Sequence, residues 1–574
     1  MNTSPSVPEI KVRTRHKNSR PIRLFLFALI VTVIIAAAAI IYFYPGFMHI
    51  EPDSEVHLIL GNTDLGANKA EVVRGEVFLP IDVIKRYIDP DIFWEQETGK
   101  VIVTTKNKVI RMATEAVTAR VNANEISLQT PVVQKNGRPW IPINFLADLY
   151  NINISHFGSS NRIVLTKTDQ EHVEGRLHTK SKLRVGPGFR NPWLVDLVKG
   201  ARVEVFEETN DYSFIRTEDG LLGYLKTSDL ATQVIPIPVE AKKEDKKPVI
   251  WEPAAGEKIN LTWEFVYSRN PDTKTIPQIP GLNVVSPTWF ALSDNEGGIT
   301  NKASSSYVFW AHQRGYQVWA LFSNSFDKEL THAALSSAER REKIIDQMLI
   351  YAELYDLDGI NIDFENVYLQ DKDLVVQFMR ELVPVAHQQG LVVSMDVTVK
   401  GGSETYSLFY DRAALGDVVD YLILMTYDEH WSSSPIAGSV ASLPWVEKGV
   451  LGLLEDVPKE KLVLGVPFYT RLWIETENKD GSTNVKSEAL SMESAESLIQ
   501  KNKAKVTYDE AAGQRYAYWE DGNTTKEIWL ENEESMRQRA QLVDKYKLAG
   551  IASWRRGFEK DEIWQVIAEE LNQK

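Results

Sequence analysis

The stretch Leu357-Asp358-Gly359-Ile360-Asn361-Ile362-Asp363-Phe364-Glu365 constrains this chain more than any other. Apolar Ile360, Ile362 and Phe364 alternate with Asn361, Asp363 and Glu365, the pattern of a buried strand. Alternate side chains of a strand share a face, so the amide and the two acids form one row, about 6–7 Å between neighbours. Asp358 has the opposite parity and is expected to be a structural hydrogen-bonder. Burying such a row is costly unless the charges are paired or neutralised. Two nearby carboxylates push each other's pKa apart, so one of them holds a proton near neutral pH. A protonated acid beside an ionised or hydrogen-bonded one is the equipment of glycoside hydrolysis. A solvated strand end, with acids of no consequence, is the plain alternative, and these residues alone leave both readings open.

Asp358-Gly359-Ile360-Asn361-Ile362-Asp363-Phe364-Glu365 resembles the signature D-G-x-D-x-D-x-E of glycoside hydrolase family 18, the chitinase and N-acetylglucosaminidase family. One position departs: the middle Asp is Asn361, which bears on the tuning of Asp363. Three more segments match that family in its order. Leu424-Met425-Thr426-Tyr427-Asp428 resembles its sixth barrel strand, Leu464-Gly465-Val466-Pro467-Phe468-Tyr469 its seventh, and Gly550-Ile551-Ala552-Ser553-Trp554 its eighth. The resemblance implies a TIM (β/α)8 barrel and a substrate-assisted mechanism. In it Glu365 is the acid and later the base. Asp363 holds the substrate's acetamido N–H, and Tyr427 donates its hydroxyl to the acetamido oxygen. The resemblance also implies that Asn361 tethers Asp363 and that Trp554 floors the sugar site. Asp428, Arg471 and Trp431 are further candidates for substrate contact. No metal or organic cofactor is implied.

The alternation of strands and helical stretches from residue 250 to 574 fits a parallel α/β barrel. Strands are expected at Ile259–Phe265, Val284–Ala291, Gln317–Phe322, Gly359–Phe364, Leu391–Val397, Tyr421–Thr426, Lys461–Pro467 and Gly550–Ser553. Amphipathic helices lie between them, such as Ala338–Leu354, with a stripe of Ile344, Ile345, Met348 and Leu349. The interval Arg471 to Tyr546 is too long for one barrel helix and is expected to carry a small α+β insertion. Trp263, Trp289, Trp319, Trp431 and Trp473 fall at or near strand ends, where sugar stacking and plain packing are both open.

Ahead of the barrel the chain divides further. Residues 1–23 are a basic tail, and the apolar run of residues 24–44 is long enough to cross a bilayer as a helix. Acidic residues follow it, so the positive-inside rule places the N-terminus in the cytoplasm and the rest outside the cell membrane. A cleaved signal peptide is the rival reading; its usual apolar core is shorter than this run. Residues 50–168 contain a repeat. Phe78-Leu79-Pro80-Ile81 matches Trp140-Ile141-Pro142-Ile143, and Lys100-Val101-Ile102-Val103 matches Arg162-Ile163-Val164-Leu165. Each copy is expected to run as a short helix after the Pro and then a strand hairpin. This two-repeat α+β segment resembles the copper amine oxidase N-terminal-like domain. Its only histidines are His57 and His156, so a copper site is not expected. Residues 178–231 read as a small β-barrel resembling a bacterial Src-homology-3-like domain, in which Trp193, Tyr212 and Tyr224 are either wall-peptide contacts or core. Residues 232–249 are a Pro- and charge-rich linker.

The formal net charge of −15 argues against general nucleic-acid binding, and the absence of cysteine removes disulfides and thiolate chemistry. The expected partner is peptidoglycan or another N-acetylglucosamine glycan, with the membrane engaged through one helix. Chitin is the alternative substrate. A silent glycan-binding scaffold on the same fold is the alternative function, against which the presence of Glu365 speaks.

Overall fold

A computed structural model describes residues 20–209, 211–235, 249–478 and 482–572. Most of the basic tail and of the linker lies outside them. Eight parallel strands form a closed barrel: β1 (Ile259–Glu264), β2 (Val284–Pro287), β3 (Gln317–Ser323), β4 (Gly359–Asp363), β5 (Val392–Thr398), β6 (Tyr421–Met425), β7 (Leu462–Pro467) and β8 (Gly550–Trp554). Each strand pairs with the next, β7 with β8, and β8 closes on β1 with Ile259 opposite Gly550. The expected strands match these within a few residues. The second ends at Pro287, after which Phe290–Leu292 and Ile299–Asn301 form a short hairpin.

Two apolar layers hold the barrel. The inner one fills the lumen with Ile259, Leu261, Trp263, Val284, Trp319, Leu321, Val392, Ile423, Val463 and Ala552. The outer one lies between strands and helices and takes Ile344, Ile345 and Met348 from the helix Ala338–Tyr355. Gly359 makes the lumen possible. A Cβ there would lie 2.6 Å from the Trp319 ring, so a larger residue would evict the indole. Asp358 faces outward, as its parity predicts. Its Oδ2 accepts the Val318 N–H at 2.8 Å and lies 2.8 Å from His312 Nε2.

The expected insertion is present. Strands Tyr469–Glu477, Thr483–Ser491, Lys505–Asp509, Gln514–Asp521 and Thr524–Trp529 form one antiparallel sheet with the helix Met492–Asn502. The helix Glu533–Lys545 then returns to β8.

Contacts divide the chain into two compact units, Met1–Ile88 with Trp140–Lys243 and Asp89–Pro139 with Glu244–Lys574. In the first, an apolar helix spans Arg20–Phe43. The segment Arg23–Phe47, which takes in most of this helix and the turn after it, is long and apolar enough to cross a membrane. The two matching Pro segments of the repeat lie side by side and antiparallel, with Trp140 opposite Pro80 and Pro142 opposite Phe78. The copies differ after the Pro. Ile81–Tyr87 is an α-helix, whereas Ile143–Leu146 is only a 3-10 turn, a correction to the expected pair of helices. Residues 172–235 form a seven-stranded antiparallel sheet.

The second unit holds a feature with no local signature. The sheet of strands Phe93–Glu95, Lys100–Thr104, Val109–Ala113, Thr118–Val121 and Asn124–Ser127 packs on the barrel helices Ala338–Tyr355 and Lys372–Gln388. Ile102 and Val109 meet Ala338, and around them runs a buried ion network. Arg341 reaches Glu95 at 3.0 Å and Glu381 at 2.9 Å, and Arg111 reaches Glu381 at 2.8 Å. Glu95 also accepts the N–H of Ala338, the first residue of its helix, at 2.9 Å, where the helix dipole favours a negative charge. Removing one member leaves buried charges unmatched. Arg341→Ala is therefore expected to destabilise this unit by about 3–5 kcal/mol. A lowered urea midpoint, read by tryptophan fluorescence, is the measurement; an unchanged midpoint would show the network to be dispensable.

Candidate active site

The C-terminal ends of the strands open into a cleft of about 380 Å³. Asp363, Glu365, Asp396, Tyr427, Asp428, Tyr469 and Trp554 are on its wall, with Trp263, Trp289 and Phe326. The site follows from strand parity. Below the mouth, Asn361 on β4 projects into the lumen, fully buried, and its amide uses its whole hydrogen-bonding capacity. Oδ1 accepts from Trp263 Nε1 at 2.9 Å and Ser286 Oγ at 3.1 Å. Nδ2 donates to Ser394 Oγ at 3.1 Å and Asp396 Oδ1 at 2.8 Å. Asn361 therefore holds Asp396 of β5. It neither tethers Asp363 nor reaches the cleft, which corrects the expectation that it binds substrate.

Two residues up the strand, Asp363 is buried, and its Oδ1 has no hydrogen-bond partner among the described residues. Desolvation, reinforced by the neighbouring Asp396, pushes its pKa well above the usual carboxylate range. Asp396 is likewise pushed up by burial and by Glu365, against the opposing hydrogen bond from Asn361. Glu365 rises from 4.5 to about 8, chiefly by burial and then by the fields of Asp363 and Asp428. No lysine, arginine or histidine offsets these three acids among the described residues. At neutral pH the Glu365 carboxyl consequently carries its proton, as a general acid must.

The backbone of Glu365 is clamped from the neighbouring strand. Asn324, one residue past β3 and fully buried, accepts the Glu365 N–H at 3.1 Å and donates to its carbonyl at 2.6 Å. Asn324 Nδ2 also bonds Thr331 Oγ1 at 2.8 Å. On the same side the buried Tyr410 hydroxyl donates to the Phe364 carbonyl at 2.8 Å.

Tyr427 follows β6, and its hydroxyl makes no hydrogen bond among the described residues; burial and the three acids raise its pKa well above the usual value. Trp554 ends β8 with its ring 5.8 Å from that of Trp263. Asp428 sits at φ +60° and accepts the Tyr469 hydroxyl at 2.5 Å.

The remaining candidates lie off the wall. Arg471 is almost buried, 3.5 Å from Asp428 and 3.3 Å from Ser487 Oγ, so it supports Asp428 from behind. Trp431 is half exposed in the loop after β6, with Nε1 bonded to Ser433 Oγ at 3.1 Å. Trp319 and Trp473 are buried away from the cleft as packing residues, whereas Trp263 and Trp289 border it while at most 1% exposed. Asp396, Asn324 and Tyr469 were not foreseen. For Asp396 a signal exists: Ser394-Met395-Asp396-Val397 repeats on β5 the alternation of β4.

Comparison with known proteins bears on the family and the fold. The model of the glycosyl hydrolases family 18 matches residues 294–559, and that of the copper amine oxidase N-terminal domain matches residues 61–165. The chain is 28% identical over 326 residues to the uncharacterized glycosylase YvbX of Bacillus subtilis (strain 168), covering 55% of this chain and 91% of that one. It is 26% identical over 256 residues to the cortical fragment-lytic enzyme of the same organism, covering 44% of this chain and 58% of that relative's length. The crystal structure of a chitinase from Chromobacterium violaceum has the same barrel fold, with a TM-score of 0.50 at 22% identity, covering 55% of this chain and 100% of that one. This chain thus carries a glycosyl hydrolase family 18 domain behind a copper amine oxidase N-terminal domain, and it is a glycoside hydrolase.

Proposed function

We propose that this protein is a membrane-anchored, exported hydrolase that cleaves β-1,4 bonds beside N-acetylglucosamine in peptidoglycan, by a retaining, substrate-assisted route. The observation that carries the reading is the pairing of a protonated Glu365 with a buried Asp363 whose Oδ1 is unpartnered in the same cleft. Glu365 protonates the glycosidic oxygen while the substrate's own acetamido carbonyl oxygen attacks C1. Asp363 accepts the acetamido N–H and steadies the oxazolinium cation. Tyr427 donates its hydroxyl to the acetamido oxygen, and Trp554 floors the sugar ring. Glu365, now ionised, takes a proton from the water that opens the ring and is reset. Asp428, on the cleft wall and held by Tyr469 and Arg471, meets a substrate hydroxyl in this reading. The chain's own residues suffice for these steps.

Peptidoglycan is favoured by the apolar N-terminal helix, which would hold the enzyme beside the wall, and by the similarity to a cortical fragment-lytic enzyme. The anchor reading places the N-terminus in the cytoplasm and the barrel outside. Membrane fractionation of cells producing the full chain tests it; a wholly soluble product would contradict the anchor.

Two outcomes check the chemistry. Glu365→Gln is expected to lower kcat by roughly 10²–10⁴-fold, the range for a lost general acid. Mass spectrometry of digested peptidoglycan should show products ending in reducing N-acetylglucosamine with the parent and none with the variant. Release from chitin oligomers alone would move the substrate. In the parent, kcat/KM should fall as pH rises through about 8, where Glu365 loses its proton. The same titration acts on stability. The folded chain keeps this proton from about 4.5 up to about 8 while the unfolded chain does not, so stability falls as pH rises across that window. The melting temperature of Glu365→Gln should therefore gain on the parent's between pH 5 and pH 8.5, at about 1.4 kcal/mol per pKa unit removed. An equal gap at both ends would show that Glu365 is not perturbed.

A further inference from the structure

The apolar helix does not end in free chain. After Phe43 it tightens into the 3-10 turn Tyr44–Phe47, and this turn is seated in the sheet of residues 172–235, far along the sequence. The seat is specific. Gly46 is buried, and a Cβ there would lie 2.2 Å from the Phe189 carbonyl oxygen. Arg184 bonds the Gly46 carbonyl at 3.0 Å and the Asn191 carbonyl at 2.6 Å, tying the turn to the 185–191 loop. The chain then runs beside Trp193. The Trp193 N–H donates to the Met48 carbonyl and the Ile50 N–H to the Trp193 carbonyl, both at 3.0 Å. The His49 ring lies 4.2 Å from the Trp193 indole, whose face is covered by Lys182 Nζ at 3.3 Å. Trp193 thus already meets His49 and Lys182 of this chain.

The 185–190 loop also reaches back along the helix. The Phe189 ring meets Phe47 edge-on at 5.5 Å, and the Arg190 guanidinium lies 4.2 Å from the ring of Tyr42, a residue of the apolar helix itself. Phe189 and Val185 are 44% and 46% exposed, and Phe47 is 69% exposed. Counting about 20 residues for a hydrocarbon core from Leu24 onward puts Tyr42–Phe47 at the outer membrane surface, the depth at which aromatic side chains collect. A loop whose Arg190 touches Tyr42 shares that depth.

We infer that the Val185–Arg190 loop is a second membrane contact, with Phe189 and Val185 entering the headgroup layer and Arg190 at the level of the lipid phosphates. The inference rests on the anchor reading above. It assigns one occupant, the phospholipid interface of the bilayer that holds the helix, because the patch is continuous with the helix end.

The absence of cysteine makes the test clean. Single cysteines are introduced in the full chain at Phe189, at Val185 and, within the helix, at Ile34. Each variant is nitroxide-labelled and reconstituted in phosphatidylcholine–phosphatidylglycerol vesicles. Power-saturation electron paramagnetic resonance then compares access of oxygen and of a water-soluble nickel chelate. The inference expects labels at 185 and 189 to be shielded from nickel and open to oxygen, at a depth shallower than 34. It also expects this shielding to be lost when Gly46→Leu unseats the turn. A lipid-buried label at 34 with water-like labels at 185 and 189 overturns the loop contact and leaves the anchor standing. Water-like labels at all three overturn both. Shielding at 185 and 189 that requires added peptidoglycan overturns the lipid assignment in favour of a wall polymer.

Discussion

Three carboxyl groups, Asp363, Asp396 and Glu365, stand together at the barrel mouth with no cation beside them among the described residues. Desolvation is the constraint from which the site follows. In a low-dielectric setting adjacent acids cannot all ionise, so protons are retained and the remaining negative charge must be met by neutral donors. Asn361 is that donor for Asp396. An aspartate at this position would have no N–H to give, and a fourth acid would enter the cluster. The amide instead converts two lumen hydroxyls, an indole and a carboxyl into one satisfied layer. Above that layer Asp363 and Tyr427 line the cleft, and Asp363 Oδ1 has no hydrogen-bond partner among the described residues.

The scaffold meets this demand by rigidity from several directions. Gly359 admits Trp319, which stacks on Tyr421 at 5.7 Å and fills the barrel floor beneath the polar layer. On the outside, the sheet of residues 93–127 is fastened to two barrel helices by a buried ion network. Such networks are costly to bury, and their contribution lies more in fixing one arrangement than in net stability.

The legible and illegible parts of the fold divide by range. Strand parity and apolar runs are local, and they located all eight barrel strands and the shared face of Asp363 and Glu365. The insertion was visible as excess length. Partners that come from distant strands left no such mark. The resemblance pairs the Asn361 amide with Asp363, whereas its hydrogen bonds run across the lumen to β1, β2 and β5. Trp431 follows from its position near a strand end and Arg471 from the family resemblance, and neither tells whether a side chain turns toward the cleft or behind it. The 3-10 turn after Pro142 escaped because a constant repeat offset reports common ancestry of segments, not equal geometry. The attachment of the 93–127 sheet to the barrel depends on charges such as Arg341 and Glu381, each unremarkable alone.

The clamp on Glu365 carries one more consequence. Both bonds from Asn324 grip the main chain, and neither uses the carboxyl. In the proposed reaction Glu365 passes through two charge states in each cycle, and a side chain held by its own oxygens would gain and lose its restraints with every proton. Here the grip is blind to that proton. The acid works like a tool on a fixed spindle, so the mouth of the barrel keeps its shape while the charge at its centre alternates.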